Sequence, residues 1–220
     1  IASNTFLVER IKERYRKHGI ISEELGEYQK DAEYVWIIDP LDGTFNFLKK
    51  IPLFAVMVAL MKNNSILLAA IYDPVHDEFL FAHRGAGAYL NGRRIQCSKT
   101  REWKESSGCI SPKLKSQRIE IIRKLLGKAE KDCFRLNVLA SIGIKALYTA
   151  DGRIDWLVGS GANIWDYAPT FLALSESGCI VSAFDGAPWT PGAKGFIAAN
   201  AYLHEELLEV VRGEVIFETF

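Results

Sequence analysis

The sequence predicts a layered fold in an α+β or α/β arrangement, and three observations carry that prediction. Up to about residue 105, short apolar runs are separated by turn residues, as in an antiparallel meander; beyond it, strand-like and helix-like segments alternate. The third observation is bulk. With 220 residues, 49% hydrophobic and 25% charged, the chain can form one body of two closely packed lobes, 1–105 and 106–220.

The elements follow in order. Over 5–17, Phe6, Leu7, Ile11 and Tyr15 recur at helical spacing among Glu9, Arg10, Lys12, Glu13 and Arg14, which predicts an amphipathic helix. Ile20-Ile21 is a short strand that leads through Ser22-Glu23-Glu24-Leu25-Gly26 and a polar loop to a strand over 34–38. An acidic turn and a helix opening over 44–47 come next. Strands at about 54–61, 65–72 and 78–83 are separated by Lys62-Asn63-Asn64 and Asp73-Pro74-Val75-His76, and Gly85, Gly87 and an Asn91-Gly92 turn extend the meander. Past 105 we read a strand near 108–111, a helix over 116–127 and a strand near 133–136. A helix over 139–150 stopped by Asp151-Gly152 and a strand over 153–158 follow. The last elements are a helix over 166–177 ended by Gly178, a strand over 179–183 and a helix over 203–212. Gly159-Ser160-Gly161 reads as a turn.

Composition excludes several classes of function. Lys plus Arg equals Asp plus Glu, 27 each, so no overall field draws the chain to nucleic acid or to an acidic membrane. Cys97, Cys109, Cys133 and Cys179 are far apart with no CxxC pair, a pattern of reduced thiols rather than zinc ligands or a disulfide framework. No apolar run approaches the ~20 residues that span a bilayer. No signal-peptide pattern is present and Ile1 is not a methionine, so the expectation is a cytoplasmic protein whose native chain extends upstream. His18, His76, His83 and His204 share no ligand spacing, and each reads as a surface or satisfied residue. Ser141 and Ser160 lack a GxSxG elbow, and neither a GxxxxGK[ST] loop nor a GxGxxG after a strand occurs.

The carboxylates remain. Asp39 and Asp42, three apart in Trp36-Ile37-Ile38-Asp39-Pro40-Leu41-Asp42-Gly43-Thr44-Phe45-Asn46-Phe47, follow an apolar strand. A surface Asp-Pro turn is one reading; two acids delivered into a cleft is the other. In the second, Pro40 fixes the turn, Leu41 offers its carbonyl and Gly43 lets backbone approach a ligand. Free amides over 44–47 would then favour a phosphate. Glu23 and Glu24 read as a solvated acidic loop or as part of a helical first turn, unless they converge with the other acids. Asp166, in Asn163-Ile164-Trp165-Asp166-Tyr167-Ala168-Pro169, suits a helix N-cap or first turn, which does not prevent it from projecting into a groove. Convergence would set an electrostatic condition. Two carboxylates ~4 Å apart repel by roughly 4 kcal/mol at an effective dielectric of ~20, and several such pairs exceed a domain's stability of ~5–15 kcal/mol. Such a cluster must bind cations or stay partly protonated, and all-oxygen ligation without paired His or Cys indicates Mg2+ or Mn2+.

Taken together, Ser22-Glu23-Glu24, the twelve residues from Trp36 to Phe47, and Trp165-Asp166-Tyr167-Ala168 resemble the three signatures of the inositol monophosphatase family. Gly85-Ala86-Gly87-Ala88-Tyr89-Leu90-Asn91-Gly92 and Gly152-Arg153-Ile154-Asp155 fit between them, so the resemblance spans essentially the whole chain. The Ser-Glu-Glu-Leu-Gly version is most similar to archaeal members, which often act on both inositol phosphate and fructose bisphosphate. The resemblance implies an α-β-α-β-α sugar-phosphatase fold, Mg2+-dependent hydrolysis of a phosphate monoester with two or three ions, and a homodimer. It implies Glu23, Asp39, the Leu41 carbonyl, Asp42 and Asp166 as metal ligands. Asp39 would bridge two ions, Asp42 and Asp166 would hold the second, and Glu23 would hold the first and orient water. Gly43 and Thr44 would receive the phosphate. The substrate contacts would be Leu41, Asp42, Gly43, Thr44, Ser141 and Asp166, with Glu23, Asp39 and Thr44 catalytic.

Three departures bear on substrate. The family's Thr-x-x-Asp element, whose Asp partners the motif threonine, would fall immediately before Ile1, which leaves Thr44 without its usual partner. A Gly-x-Ala loop of inositol-selective members is replaced by the bulkier Ala140-Ser141-Ile142. Their inositol-binding Glu, seven residues before the Trp-Asp aspartate, is here Gly159. The last two departures weaken an assignment to inositol 1-phosphate and leave fructose 1,6-bisphosphate or a broad sugar-phosphate range open. A phosphoadenosine phosphate phosphatase of the same superfamily would need an adenine pocket for which no residue stands out. A non-catalytic protein keeping the fold would bind cations without turnover.

Overall fold

Alternating apolar residues build the first sheet of the computed structural model, which describes residues 2–110, 116–131, 133–160, 163–190, 193 and 195–212. Its strands are β1 (Gly19–Ser22), β2 (Gly26–Tyr28), β3 (Tyr34–Asp42), β4 (Ala55–Lys62), β5 (Ser65–Asp73), β6 (Glu78–His83), β7 (Gly87–Leu90) and β8 (Arg93–Ile95). They lie in the order β2-β1-β3-β4-β5-β6-β7-β8, antiparallel throughout except for the parallel pair β1 and β3. Met57, Ala59 and Met61 on β4, Ala69 and Ile71 on β5, and Leu80 and Ala82 on β6 all point to the buried face. Asn63-Asn64 and Asn91-Gly92 carry positive φ at both positions, the conformation of a tight hairpin that matches strand twist. Strand β2 was not expected; for β7 and β8 the Asn91-Gly92 turn signalled a hairpin but no strand bounds, since three or four residues are too few for alternation to show.

The second sheet contains β9 (Ser107–Ile110), β10 (Arg135–Val138), β11 (Trp156–Ser160), β12 (Ile180–Ser182) and β13 (Gly195–Ala199), in the order β10-β9-β11-β13-β12. The pairs β10–β9 and β9–β11 are parallel; β11–β13 and β13–β12 are antiparallel. Strand β13 was not foreseen. All five of its residues are buried, and a strand covered on both faces carries no alternation to read. Strand β11 starts three residues later than expected. The turn before it is closed by Asp155, whose carboxylate accepts the Ser107 amide at 2.6 Å while its own amide donates to the Ser107 carbonyl at 2.7 Å. Gly159 and Ser160, read as a turn, instead finish β11 by pairing with Phe196 and Gly195. Gly161 lies outside the described residues, as does residue 111 at the end of the strand expected near 108–111.

Helices complete five layers. Helix α1 (Ala2–Arg14) covers the outer face of the first sheet through Val8 and Ile11, against Ile20 and Ile38. The short α2 (Thr44–Leu48) follows β3. Helices α4 (Ile142–Ala150) and α5 (Ile164–Glu176) lie between the sheets: α5 packs on β3 to β7 and on β12, α4 on β4, β5 and β11. Their Ile144, Leu147, Tyr167, Leu172 and Leu174 share one core with Met57, Ile71 and Leu80 of the first sheet and Leu157 and Phe196 of the second. Each such fully buried side chain contributes roughly 1.5–3 kcal/mol of transfer free energy. Helices α3 (Ser116–Lys131) and α6 (His204–Arg212) cover the far face, where Leu125 and Leu207 meet Trp156 and Ile197. The order of layers is α-β-α-β-α.

Helix α5 is fixed at both ends. It begins two residues before the expected start, at Ile164, so Pro169 sits in its second turn, where the ring removes the amide that would bond to Trp165. In the same turn the Thr170 hydroxyl donates to the Asp166 and Tyr167 carbonyls at 3.0 and 3.1 Å. At the other end the Glu176 carboxylate accepts the amides of Gly85 and Gly87 at 2.8 and 2.9 Å, tying the helix to the β6–β7 hairpin.

Candidate active site

Strand β3 does not stop at Ile38. It runs on through Asp42, so the acids expected in a turn lie on the irregular end of a strand. Asp39 pairs with Met57 and Asp42 with Ala55, which sets three steps of β3 against two of β4. In a regular strand, residues three apart face opposite sides; the extra residue restores parity, and both carboxylates turn inward. Asp39 is 2% exposed and its Oδ1 accepts the Leu41 amide at 3.0 Å.

Asp42 meets the N-terminus of α4. Its Oδ1 accepts the Ile142 amide at 3.1 Å, and its Oδ2 accepts the Gly143 amide at 2.7 Å and the Ser141 hydroxyl. Ser141 also caps α4 by accepting the Ile144 amide at 3.1 Å, and it is buried. Both its polar contacts are therefore made inside the protein. Asp166, third residue of α5, completes the group: one carboxylate oxygen from each of Asp39, Asp42 and Asp166 lies within 4.8 Å of the others. Glu23 follows β1, its amide donating to the Ile38 carbonyl at 3.3 Å. It is exposed and stands outside that group of three, near enough for its charge to act on Asp39. Glu24 is exposed beside it.

The electrostatic condition set by convergence is met in the protonation of the site. Burial first, then the charges of Asp42, Glu23 and Asp166, push the Asp39 carboxyl up to about 9, against the opposing bond from Leu41. Burial also raises Asp42, opposed by Ser141, Gly143, Ile142 and the charge of Lys145. An all-oxygen donor set that binds protons this strongly fits a hard divalent ion such as Mg2+ or Mn2+, which would take the protons' place.

The neighbouring backbone is equally constrained. Gly43, between β3 and α2, has φ 84°, and a Cβ there would come within 3.1 Å of the Leu53 carbonyl oxygen and Ser141 Cβ, so only glycine fits. Thr44 is exposed and opens α2, whose first amides have no acceptor within the helix. The Thr44 hydroxyl donates to the Leu41 carbonyl at 3.0 Å, which leaves that oxygen one lone pair. Gly159 packs against Phe196, whose Cε1 would lie 2.7 Å from a Cβ at that position.

Sequence reasoning missed Lys145, fully buried on α4, and the Ile142 and Gly143 amides. A single charge inside Ile-Gly-Ile-Lys-Ala-Leu was the available signal. Three of the four histidines are engaged elsewhere: His18 accepts from Trp36 Nε1 at 3.1 Å, His76 pairs with Asp73 at 2.8 Å, and His204 lies 2.9 Å from the Ser182 hydroxyl; His83 is exposed. All four cysteines are free thiols, and among the described residues no helix is long and apolar enough to cross a membrane.

Residues 1–215 match the model of the inositol monophosphatase family. A fructose-1,6-bisphosphatase/inositol-1-monophosphatase of Thermotoga maritima is 32% identical over 212 residues, 96% of this chain and 80% of the relative. The Nus factor SuhB of Escherichia coli is also 32% identical, over 97% of this chain and 81% of its own length. Among solved structures, a Thermotoga maritima IMPase superposes with a TM-score of 0.86 at 31% identity, covering 94% of this chain and 79% of the other. An extragenic suppressor protein suhB from Bartonella henselae gives 0.90 at 28%, covering 96% and 82%. With the same five layers and a family model matched almost from end to end, this chain belongs to the inositol monophosphatase family.

Proposed function

We propose that the chain is a Mg2+-dependent phosphatase acting on monoesters of small sugars or inositol, inositol 1-phosphate and fructose 1,6-bisphosphate foremost. The observation that carries this reading is the meeting of Asp39, Asp42 and Asp166, brought from a bulged strand and a helix start to within 4.8 Å. Bound Mg2+ or Mn2+, two or three ions, would supply positive charge to the phosphoryl oxygens and the leaving oxygen and would acidify the attacking water. Asp39, Asp42 and Asp166, with Glu23 and the Leu41 carbonyl, would hold these ions. Glu23 orients the water for in-line attack, beside Thr44. The Gly43 and Thr44 amides face the phosphoryl oxygens, dipoles already in place before reaction. Ser141 acts through Asp42, whose carboxylate it holds. Gly159 offers no carboxylate to a sugar hydroxyl and Phe196 closes the space, which favours a broad sugar-phosphate range over strict inositol selectivity. We place the protein in the cytoplasm as a homodimer, by analogy with the family.

A second reading has an observation in its favour, because several relatives of equal identity are named Nus factors. In it the fold serves as a binding protein and turnover is incidental. Assay of inositol 1-phosphate, fructose 1,6-bisphosphate and phosphoadenosine phosphate in parallel, with Mg2+ and with chelator, separates these. Mg2+-dependent turnover of the first two is expected. Preference for the third reassigns the substrate, and cation binding without turnover of any ester transfers the case to the binding protein.

A further inference from the structure

We propose that Lys145 is a resident cation of the carboxylate centre: it neutralises Asp42 when no divalent ion is bound and weakens the hold on the ion when one is. The inference rests on the reading above that Asp39, Asp42 and Asp166 hold such an ion.

Lys145 is the only charged residue of α4 and is 0% exposed. A lysine is almost never fully buried unless an opposite charge balances it, because the desolvation of an ammonium costs several kcal/mol. Helical geometry shows where that charge lies. Lys145 is four residues after Ser141, on the same face, and its amide donates to the Ser141 carbonyl at 3.3 Å. Side chains on a helix lean toward its N-terminus, and for Lys145 that is the direction of the turn where Ser141, Ile142 and Gly143 hold Asp42. The ammonium acts electrostatically on Asp42 and on the Cys109 thiol, two groups on opposite sheets. The other three contacts to Asp42 are neutral dipoles, so Lys145 is the full positive charge acting on it. A fixed positive charge on that side stabilises the ion-free centre and repels an incoming cation. Lys145 is therefore a positioning residue that sets how much divalent ion the centre requires.

The test is Lys145→Met, which keeps length and apolar stem and removes the charge. Mn2+ is titrated by electron paramagnetic resonance, and melting is followed with and without Mn2+. We expect Mn2+ to bind roughly tenfold more tightly, since one repelling charge near a divalent ion costs on the order of 1–2 kcal/mol at this dielectric. The ion-free melting temperature should fall by roughly 10 °C, mostly recovered at saturating Mn2+. Unchanged or weaker affinity, or an equal fall in both states, overturns the proposal. Should the single variant fold poorly, the pair Asp42→Asn with Lys145→Met removes both charges and is expected to melt above Lys145→Met alone; no gain overturns the proposal. Wild-type protein that takes up no Mn2+ at millimolar concentration refutes the phosphatase reading instead, and the ion-free melts then decide on Lys145 by themselves.

Discussion

The amide of Gly143 reaches Asp42 Oδ2 at 2.7 Å because its α-carbon carries only hydrogen on that side. A Cβ there would lie 2.8 Å from Met57 Sδ and 3.0 Å from both Ala55 Cβ and the Asp42 oxygen itself. Met57 can give way, being flexible. The Asp42 carboxylate cannot move without loosening its bonds to Ser141 and Ile142. Gly143→Ala is expected to lower stability by about 1–3 kcal/mol and to weaken Mn2+ binding roughly tenfold. A urea melt and a calorimetric titration check the two parts.

Asp39→Asn separates chemistry from folding. Without metal the Asp39 carboxyl, pushed up to about 9, carries its proton at neutral pH, so a neutral amide of the same shape replaces it with little strain. Turnover should fall by about a thousandfold or more, while the ion-free melting temperature stays within about 2 °C or rises. The stabilisation that Mg2+ gives the wild type should disappear. Activity kept within a few-fold of wild type would remove Asp39 from the proposed ion-holding residues.

The same proton makes ion binding depend on pH. A carboxyl raised from 3.8 to about 9 binds more protons folded than unfolded, so its contribution to ion-free stability is whole below about pH 4 and is lost as pH rises toward 9. A divalent ion must displace that proton. Apparent Mn2+ affinity should therefore rise with pH, by up to about tenfold per unit between roughly pH 6 and 8.5, with release of about one proton. Titrations in buffers of different ionisation heat measure the release; none would contradict the assignment.

At Gly159 the expected effect is steric. Phe196 Cε1 occupies the space of a Cβ at 2.7 Å, and Phe196 is itself fully buried. Gly159→Ala should cost about 1–3 kcal/mol, and Phe196→Leu in combination should recover part of it. Denaturant melts of the two single variants and the double variant form the cycle that tests the coupling.

What could be read from the sequence was whatever its local chemistry states. Ile38 followed by Asp39 and Asp42 announced a strand running into acids, and Asn63-Asn64 and Asn91-Gly92 announced hairpins, because each signal lies within a few residues. The bulge that turns Asp39 and Asp42 to one side was hidden, since it exists only as a mismatch with Met57 and Ala55 on the next strand. Strand β13 was hidden by being buried on both faces, and the fit of Gly159 to Phe196 by their separation along the chain. Lys145 was missed although it is a lone charge in an apolar helix, and Asp42, on which that charge acts, belongs to the other half of the sequence. The family signatures fixed which acids to watch; they say nothing of what holds Asp42 from behind.

Helix α5 behaves as a strut about 20 Å long, with Asp166 at one end and Glu176 fastened to the Gly85–Gly87 corner at the other. Wedged between two sheets, it has no slack to absorb a tilt, because close-packed interiors shift between discrete arrangements rather than bend. A disturbance of that remote corner would therefore be carried along the helix to Asp166, and so to its place beside Asp39 and Asp42.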